Sequence, residues 1–218
     1  MQRPPLGTRH GDVPLAAYRL PRGRHGIPPA QVAENQRWRL LGAAAEVLAE
    51  RGYLETTSAR IARRAAVSSS AFYKYFENVS ACLTAAFELA AESIVAIVSD
   101  SCRTAKDPGA RLGAAIEAVL EFLAAEPTLA NLLGDVAPAA DPAFAAARAR
   151  LFDHLAAQLR DDRVEAPVAV PGTPTPEPRL LAAAFALASE RVADHEPERL
   201  RELASQLAEL LAAPYALS

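Results

Sequence analysis

The segment from Thr56 to Phe76 constrains the fold of this chain most, because its pattern predicts two short helices joined by a tight turn. Thr57 is suited to start the first helix, since a threonine hydroxyl at this position accepts a hydrogen bond from a free backbone amide of the first turn. Ser68 can do the same for the second helix. Two helices at this spacing are typical of a helix-turn-helix, whose second helix enters the major groove of DNA. The segment therefore predicts a DNA-binding protein rather than an enzyme.

The composition predicts an all-α fold with a basic N-terminal third. Hydrophobic residues make up 51% of the 218 residues and aromatic residues only 6%, so the strong helix formers alanine and leucine supply most of the apolar surface. The net charge is −3, but residues 1–80 carry twelve Arg and Lys against six Asp and Glu, and the remainder eleven against twenty. This asymmetry indicates that the N-terminal third meets an anion.

Hydrophobic spacing and helix-breaking residues divide the chain into helices and domains. The first helix is expected to begin near Pro29 and to end at Arg51, before Gly52, so that Tyr53 and Leu54 pack beneath the helix-turn-helix. Further helices are predicted over residues 80–104, 110–125, 128–134, 144–159, 179–193 and 198–213. We expect a flexible basic arm over residues 1–28, a DNA-binding domain over 29–79 and a helical effector-binding and dimerisation domain over 80–218.

The ends and apolar runs of the chain predict a cytoplasmic location. The N-terminus has no apolar stretch typical of a secretory signal peptide, and the uninterrupted apolar run from Leu180 to Ala188 is too short to span a bilayer. No membrane partner is therefore expected. The arm has two open interpretations: a disordered leader, or a segment that places Arg22 and Arg24 in the DNA minor groove.

Two other classes of function depend on cysteine or histidine chemistry. On one helix, Cys82 and Cys102 lie about 30 Å apart, so they cannot bridge within a chain and are expected to be buried as small hydrophobic residues. A redox-responsive regulator bridged between chains through either cysteine remains an alternative, and it requires an exposed thiolate. An enzyme that uses His154 or His195 with nearby carboxylates is a second alternative, although no nucleophile–base pair or metal-ligand spacing supports it. No cofactor or metal is expected.

An ordered series of short motifs resembles the tetracycline-repressor-type (TetR) family of transcriptional regulators. The series lies within residues 37–88 and consists of Arg51-Gly52-Tyr53, Thr56-Thr57, Ile61-Ala62, Ala66-Val67-Ser68 and Phe72-Tyr73-Lys74-Tyr75-Phe76. The resemblance implies a three-helix DNA-binding domain followed by a helical domain that binds a small effector and dimerises. It also implies a repressor that binds a palindromic operator and leaves it when the effector binds.

The resemblance places base contacts at the starts of the two helices of the helix-turn-helix, and phosphate contacts on the aromatic stretch of the second. Short serine and alanine side chains also allow a helix to approach base edges closely. Phe72 and Phe76, four residues apart, are expected to face the core. The candidate DNA-contacting residues are Thr57, Ser58, Arg60, Ser68, Ser69, Ser70, Ala71, Tyr73, Lys74 and Tyr75.

Three residues depart from the pattern of the family. Ala66 replaces the usual glycine of the turn, which costs about 1 kcal/mol if the residue is left-handed. Ser58 stands where an apolar residue is common, and Val79 where a lysine commonly contacts phosphate. We therefore expect modest direct readout, with specificity that also depends on Arg60, Lys74, the arm and DNA shape.

The candidate effector-binding and dimer residues lie on the later helices. Ordinary core packing is the open alternative for the apolar members of both sets, and the low aromatic content favours an aliphatic pocket. The effector candidates are Phe87, Ile94, Ile116, Phe122, Asn131, Phe152 and His154. A two-fold dimer would present two recognition helices to a pseudo-palindrome. Its candidate interface, formed by the last two helices, is Leu180, Ala183, Ala184, Leu187, Leu203, Leu207 and Leu210.

Overall fold

Helices form the regular secondary structure of the residues that the computed structural model describes, which are 29–104, 108–134, 141–161, 181–183, 185–188, 190 and 202–207. The named helices are α1 (Pro29–Arg51), α2 (Ser58–Arg64), α3 (Ser69–Tyr75), α4 (Val79–Thr104), α5 (Pro108–Ala125), α6 (Pro127–Leu133) and α7 (Pro142–Asp161). Residues 181–183, 185–188, 190 and 202–207 are also helical. The all-α prediction is confirmed. The arm with Arg22 and Arg24, as well as Leu180, Ala184, His195 and Leu210, lies outside the described residues.

Helices α1 to α3 form an N-terminal unit around one apolar core. Leu41 and Leu48 of α1, Ile61 of α2 and Phe72 of α3 are fully buried against one another in this core. Phe76, which ends α3, is 6% exposed, and its ring centroid lies 5.9 Å from that of Phe72. The prediction that both phenylalanines face the core is confirmed.

Side-chain caps fix where the helices of the helix-turn-helix begin. The Thr57 hydroxyl accepts a hydrogen bond from the backbone amide of Arg60 (3.3 Å), and the Ser68 hydroxyl accepts one from that of Ala71 (3.1 Å). Both capping residues have extended backbones, as expected of N-caps. The two capping predictions are confirmed.

The turn between α2 and α3 contains a left-handed alanine. Ala66 has a φ of +52°. Its amide donates to Arg63 O (3.1 Å) and that of Val67 to Ala62 O (3.0 Å), the two hydrogen bonds of a Schellman motif. The guanidinium of Arg39 on α1 donates to the carbonyl oxygens of Ala65 and Ala66. These contacts hold a backbone conformation that alanine disfavours.

Ala66→Gly is therefore expected to stabilise the protein by about 1 kcal/mol, because glycine adopts a positive φ without steric strain. Urea unfolding measures the change. Ala59→Gly, inside the exposed face of α2, is the matched control and is expected to destabilise by about 1 kcal/mol. A loss of stability in Ala66→Gly would contradict the strain assigned to the turn.

The later helices form a C-terminal bundle in which α4 and α7 run parallel. The ring centroids of Phe87 and Phe144 lie 4.9 Å apart near the start of both helices. Further along, the Gln158 amide nitrogen donates to the Ser99 hydroxyl (2.6 Å). Helix α5 packs along α4, and α6 packs against both α1 and α4. The bundle thus contacts the N-terminal unit through α4 and α6.

Helix α4 is long and apolar enough, by length and composition alone, to cross a membrane. Among the described residues, 44% of its 18-residue apolar window is buried within the protein. Its buried face, which includes Leu83, Phe87 and Ile94, contributes to the protein core, and α1, α5 and α7 pack against the helix. These contacts are those of the core helix of a helical bundle.

The prediction that Leu54 packs beneath the helix-turn-helix is wrong, since Leu54 is 90% exposed. A tight turn leads from α1 to α2: Gly52 has a φ of +74°, and the Thr56 amide donates to Tyr53 O (3.0 Å). Tyr53 packs against the core. Leu54, at the tip of the turn, points outward.

Candidate nucleic-acid interface

The exposed surface of α3 and the start of α2 bring the predicted DNA-contacting residues together. Ser68, Ser69, Ser70, Tyr73 and Lys74 are exposed. Ala71 is half-exposed between them, and Thr57 is exposed at the start of α2. The Ser68 and Ser70 hydroxyls lie 3.0 Å apart. A short polar surface of this kind, at the N-terminus of a helix, fits the width of a major groove.

One hydrogen bond ties the two helices together on this surface. The Ser58 hydroxyl of α2 and the Tyr73 hydroxyl of α3 are 2.9 Å apart. Tyr73 is 59% exposed, and its ring meets that of Phe72 edge-on at 5.3 Å. An apolar residue in place of Ser58 could not hold the Tyr73 hydroxyl. This departure from the family pattern thus gives Tyr73 a partner within the unit.

Two arginines of α2 are already paired with glutamates. Arg60 forms an ion pair with Glu55 (2.6 Å) and also donates to the Glu55 carbonyl. Arg64 bridges Glu46 (2.8 Å) and Glu50 (2.5 Å) on α1. The hydrogen bonds to these glutamates raise the pKa of Arg64, and the bond from Arg64 lowers the pKa of Glu50. Arg60 therefore has to leave or share Glu55 in order to reach DNA.

Lys74 and Tyr75, adjacent on α3, are placed differently. Lys74 is exposed, and among the described residues it has no acidic partner within ion-pair distance. Tyr75 packs partly against the core, and its hydroxyl donates to Gln36 Oε1 on α1 (2.8 Å). Val79, in place of a phosphate-binding lysine, is half-buried against the same core. Tyr75 and Val79 thus contribute to packing.

The predicted effector residues are mostly packed within the bundle. Phe87 and Ile94 are fully buried, Ile116 is 9% exposed, and the Phe152 ring meets Phe185 at 5.4 Å. Phe122 and Asn131 are half-buried.

His154 does not fit its predicted role inside the bundle. It is exposed on α7. The inward face of that helix is taken by Leu151, Phe152 and Leu155, which leaves position 154 on the outside of the helix.

The predicted dimer residues divide between two environments. Ala183 is exposed, and Leu187 is 40% exposed. Leu203 and Leu207, at 6% and 4% exposed, are buried in the chain's own core. Their assignment to a dimer surface is therefore a misplacement, because an apolar stripe shows that one face of a helix is buried but not by which neighbour.

The two cysteines are buried, as predicted. Cys82 is fully buried beneath α1, and burial raises the pKa of its thiol to about 12. Cys102 is 8% exposed. Neither presents the exposed thiol that a bridge between chains requires.

Sequence reasoning missed a buried carboxylate that lies between the N-terminal unit and the bundle. The Tyr53 hydroxyl donates to Asp141 Oδ2 (2.7 Å), across 88 residues of sequence. Asp141 is 6% exposed. Burial, together with this hydrogen bond, raises the pKa of Tyr53 to about 12. The only sequence signal was the Asp141-Pro142 pair, which marks the start of a helix.

Comparison with known proteins agrees with this geometry. Residues 40–86, which span the second half of α1, all of α2 and α3 and the start of α4, match the model of the family described as bacterial regulatory proteins, tetR family. The HTH-type transcriptional activator FasR of Mycolicibacterium smegmatis is 33% identical over 122 residues, which are 56% of this chain and 48% of the relative. The chain thus spans about half the length of this curated relative.

Solved structures share the fold. A transcriptional regulator from Rhodococcus sp. Rha1 has a TM-score of 0.64 at 23% identity, covering 82% of this chain and 96% of that one. The regulator FadR from Bacillus subtilis, solved in complex with stearoyl-CoA, has a TM-score of 0.57 at 19% identity, covering 79% and 96%. Residues 40–86 thus resemble the helix-turn-helix segment of the tetR family of bacterial regulatory proteins, and the helices of the chain share the fold of these solved structures.

Proposed function

We propose that this regulator binds a palindromic operator as a homodimer through α3 and the start of α2, and that a small effector bound in the C-terminal bundle releases it from DNA. Residues 29–79 serve as the DNA-binding domain and residues 80–218 as the effector-binding and dimerisation domain. The observation that carries the proposal is the exposed polar surface of α3, held by the Ser68 cap and the Ser58–Tyr73 hydrogen bond. As a regulator of this family, the protein would act in the cytoplasm.

We propose a long-chain acyl thioester as the effector. Its support comes from two sides: the related fold of FadR carries stearoyl-CoA, and the bundle core consists of aliphatic and phenylalanine side chains. An apolar core of this composition suits an acyl chain, which gains about 0.8 kcal/mol for each methylene that it buries. Helix α4 runs from the N-terminal unit into this core, so a ligand that tilts α4 changes the distance between the two recognition helices of a dimer. Release requires that the ligand bind the tilted state more tightly.

Activation is the second candidate, because the curated relative at 33% identity is named as an activator. The two modes share the DNA surface and differ in the position of the operator relative to a promoter.

Selection of duplexes from a random pool, followed by affinity measurement, tests the proposal. The expected result is an inverted-repeat site bound much more tightly than the starting pool, and a weaker complex when stearoyl-CoA is added. A selected pool that binds no better than the starting pool would exclude operator recognition. Unchanged affinity with stearoyl-CoA bound would exclude this effector class.

The Ser58–Tyr73 pair gives a prediction for DNA affinity. Tyr73→Phe is expected to weaken binding to the selected duplex about fivefold, through loss of a phosphate donor. Ser58→Ala is expected to weaken it about twofold, because the Tyr73 hydroxyl is then less ordered. If Ser58 acts through Tyr73, the double variant binds like Tyr73→Phe alone. Ser101→Ala, near the C-terminal end of α4, is the control. Additive effects of Ser58→Ala and Tyr73→Phe on the affinity would contradict the coupling.

The homodimer is tested at the residue that remains exposed. Leu187→Glu is expected to convert a dimer into a monomer, because it places a charge in an apolar interface. Sedimentation at micromolar concentration measures this. Glu190→Gln, three positions further along the chain and also exposed, controls for a general effect of altered charge. A wild-type monomer would contradict the dimer, and a Leu187→Glu dimer would move the interface elsewhere.

A further inference from the structure

We propose that Asp141 is a positioning residue that couples the start of α7 to the loop preceding α2. Through this one carboxylate, a change in the effector-binding bundle alters the DNA-binding surface, and binding of DNA alters the bundle. The group of contacts is called the Asp141 joint and consists of Asp141, the Tyr53 hydroxyl, the Ser80 side chain and the Phe144 amide. The inference goes beyond the proposed function, which assigns transmission to α4.

The joint connects three separate segments of the chain. Tyr53, in the loop between α1 and α2, donates to Asp141 Oδ2 at 2.7 Å, and the Phe144 amide in the first turn of α7 donates to Oδ1 at 3.2 Å. The side chain of Ser80, at the start of α4, also hydrogen-bonds Asp141. Since Asp141 is 6% exposed, water cannot readily replace these donors, and breaking one is costly.

Towards the predicted DNA-binding surface, the joint is linked to α2 by a short loop that contains two internal hydrogen bonds. The Thr56 amide donates to Tyr53 O (3.0 Å), and the buried Thr56 hydroxyl donates to Gly52 O (2.8 Å). The next residue, Thr57, is the N-cap of α2. Three residues thus separate Tyr53 from Thr57, the first predicted DNA contact, and the hydrogen bonds leave little freedom between them.

On the bundle side, the joint is linked to the aromatic core. The Asp141 carboxylate caps α7, and the ring of Phe144, two turns before Leu151, packs on Phe87 of α4 at 4.9 Å. A ligand that separates α4 from α7 therefore moves the α7 N-terminus relative to Ser80. The Asp141 carboxylate can then keep its hydrogen bond with Tyr53 or its hydrogen bond with Ser80, but it cannot keep both at their present lengths. This is the differential contact that coupling requires.

Hydrogen exchange of the backbone amides tests the joint in two arms. Without DNA, Asp141→Asn is expected to speed exchange at the Arg60 and Ile61 amides about threefold, although position 141 lies outside α2. With a saturating selected duplex, the wild type is expected to slow exchange at the Phe144 amide by about the same factor. In Tyr53→Phe this response to DNA is expected to disappear, while the duplex remains bound.

Ser99→Ala is the matched control, because it removes a side-chain hydrogen bond of similar length (2.6 Å, from Gln158) that joins α4 to α7 without involving Asp141. Its complex with DNA should keep the wild-type response at Phe144. An unchanged Arg60 and Ile61 exchange in Asp141→Asn, or a wild-type response in Tyr53→Phe, would overturn the joint. If no duplex is selected, the DNA-binding proposal fails, and the first arm still decides on the joint.

Discussion

Phe72→Ala is expected to cost about 3–5 kcal/mol of folding stability, a large share of the roughly 5–15 kcal/mol that holds a typical domain. Phe72 is fully buried, and its ring contacts those of Tyr73 and Phe76. Truncation leaves a cavity between α3 and the rest of the N-terminal unit. Urea unfolding measures the loss, and hydrogen exchange is expected to show α2 and α3 opening first.

Phe87 provides the matched control for this substitution. It is equally buried but lies in the bundle against Phe144. Milder variants separate the effect on stability from the effect on DNA binding. Phe72→Leu and Phe87→Leu are each expected to lower folding stability by about 1 kcal/mol. Only Phe72→Leu should weaken the complex with a selected duplex. Equal weakening by both would mean that the N-terminal unit and the bundle unfold as one.

Asp141→Ala is expected to cost about 2–4 kcal/mol, because it orphans the Tyr53 hydroxyl and removes the cap of α7. Asp141→Asn keeps an acceptor and should cost about 1 kcal/mol. Tyr53→Phe in the Asp141→Ala background should restore part of the loss, since it removes the orphaned donor. If the double variant loses as much folding stability as the two single variants together, the hydrogen bond between Tyr53 and Asp141 contributes nothing to stability.

Acid should act on the same group. Burial by itself raises the pKa of Asp141, but hydrogen bonds from Ser80, Tyr53 and the amides of Phe144 and Ala143 outweigh it, so the pKa is lowered. The stability that this group contributes is complete above its unfolded pKa of about 4 and is lost as the pH falls through the folded value. Between pH 7 and the onset of acid unfolding, Asp141→Asn should therefore show a smaller decline in stability than the wild type.

The features predictable from the sequence depend on neighbours a few residues apart. Thr57 and Ser68 cap amides three residues ahead, and the left-handed conformation of Ala66 follows from its place in the turn. These interactions form wherever the local pattern occurs. The helix starts that bound the exposed surface of α2 and α3 could for this reason be predicted in advance.

The features that the sequence did not reveal join distant residues. Arg39 binds the turn from 26 residues away, and Tyr53 meets Asp141 across 88. Leu203 and Leu207 have the spacing of a buried stripe, yet only packing decides that their own chain covers them. Periodicity defines a face of a helix, whereas the choice of partner for that face depends on the whole fold.

The pairing of Arg60 with Glu55 and of Arg64 with Glu46 and Glu50 has a consequence for how binding responds to ions. Binding of DNA by a free cation displaces condensed counterions and lowers log K by about 0.9 per decade of salt for each phosphate neutralised. An arginine that exchanges a glutamate for a phosphate contributes less to this salt dependence, because the glutamate had already balanced its charge. Among the described cations of α2 and α3, Arg63 and Lys74 therefore carry most of the ionic-strength dependence. A count of basic residues would therefore overstate the sensitivity of the proposed DNA binding to salt.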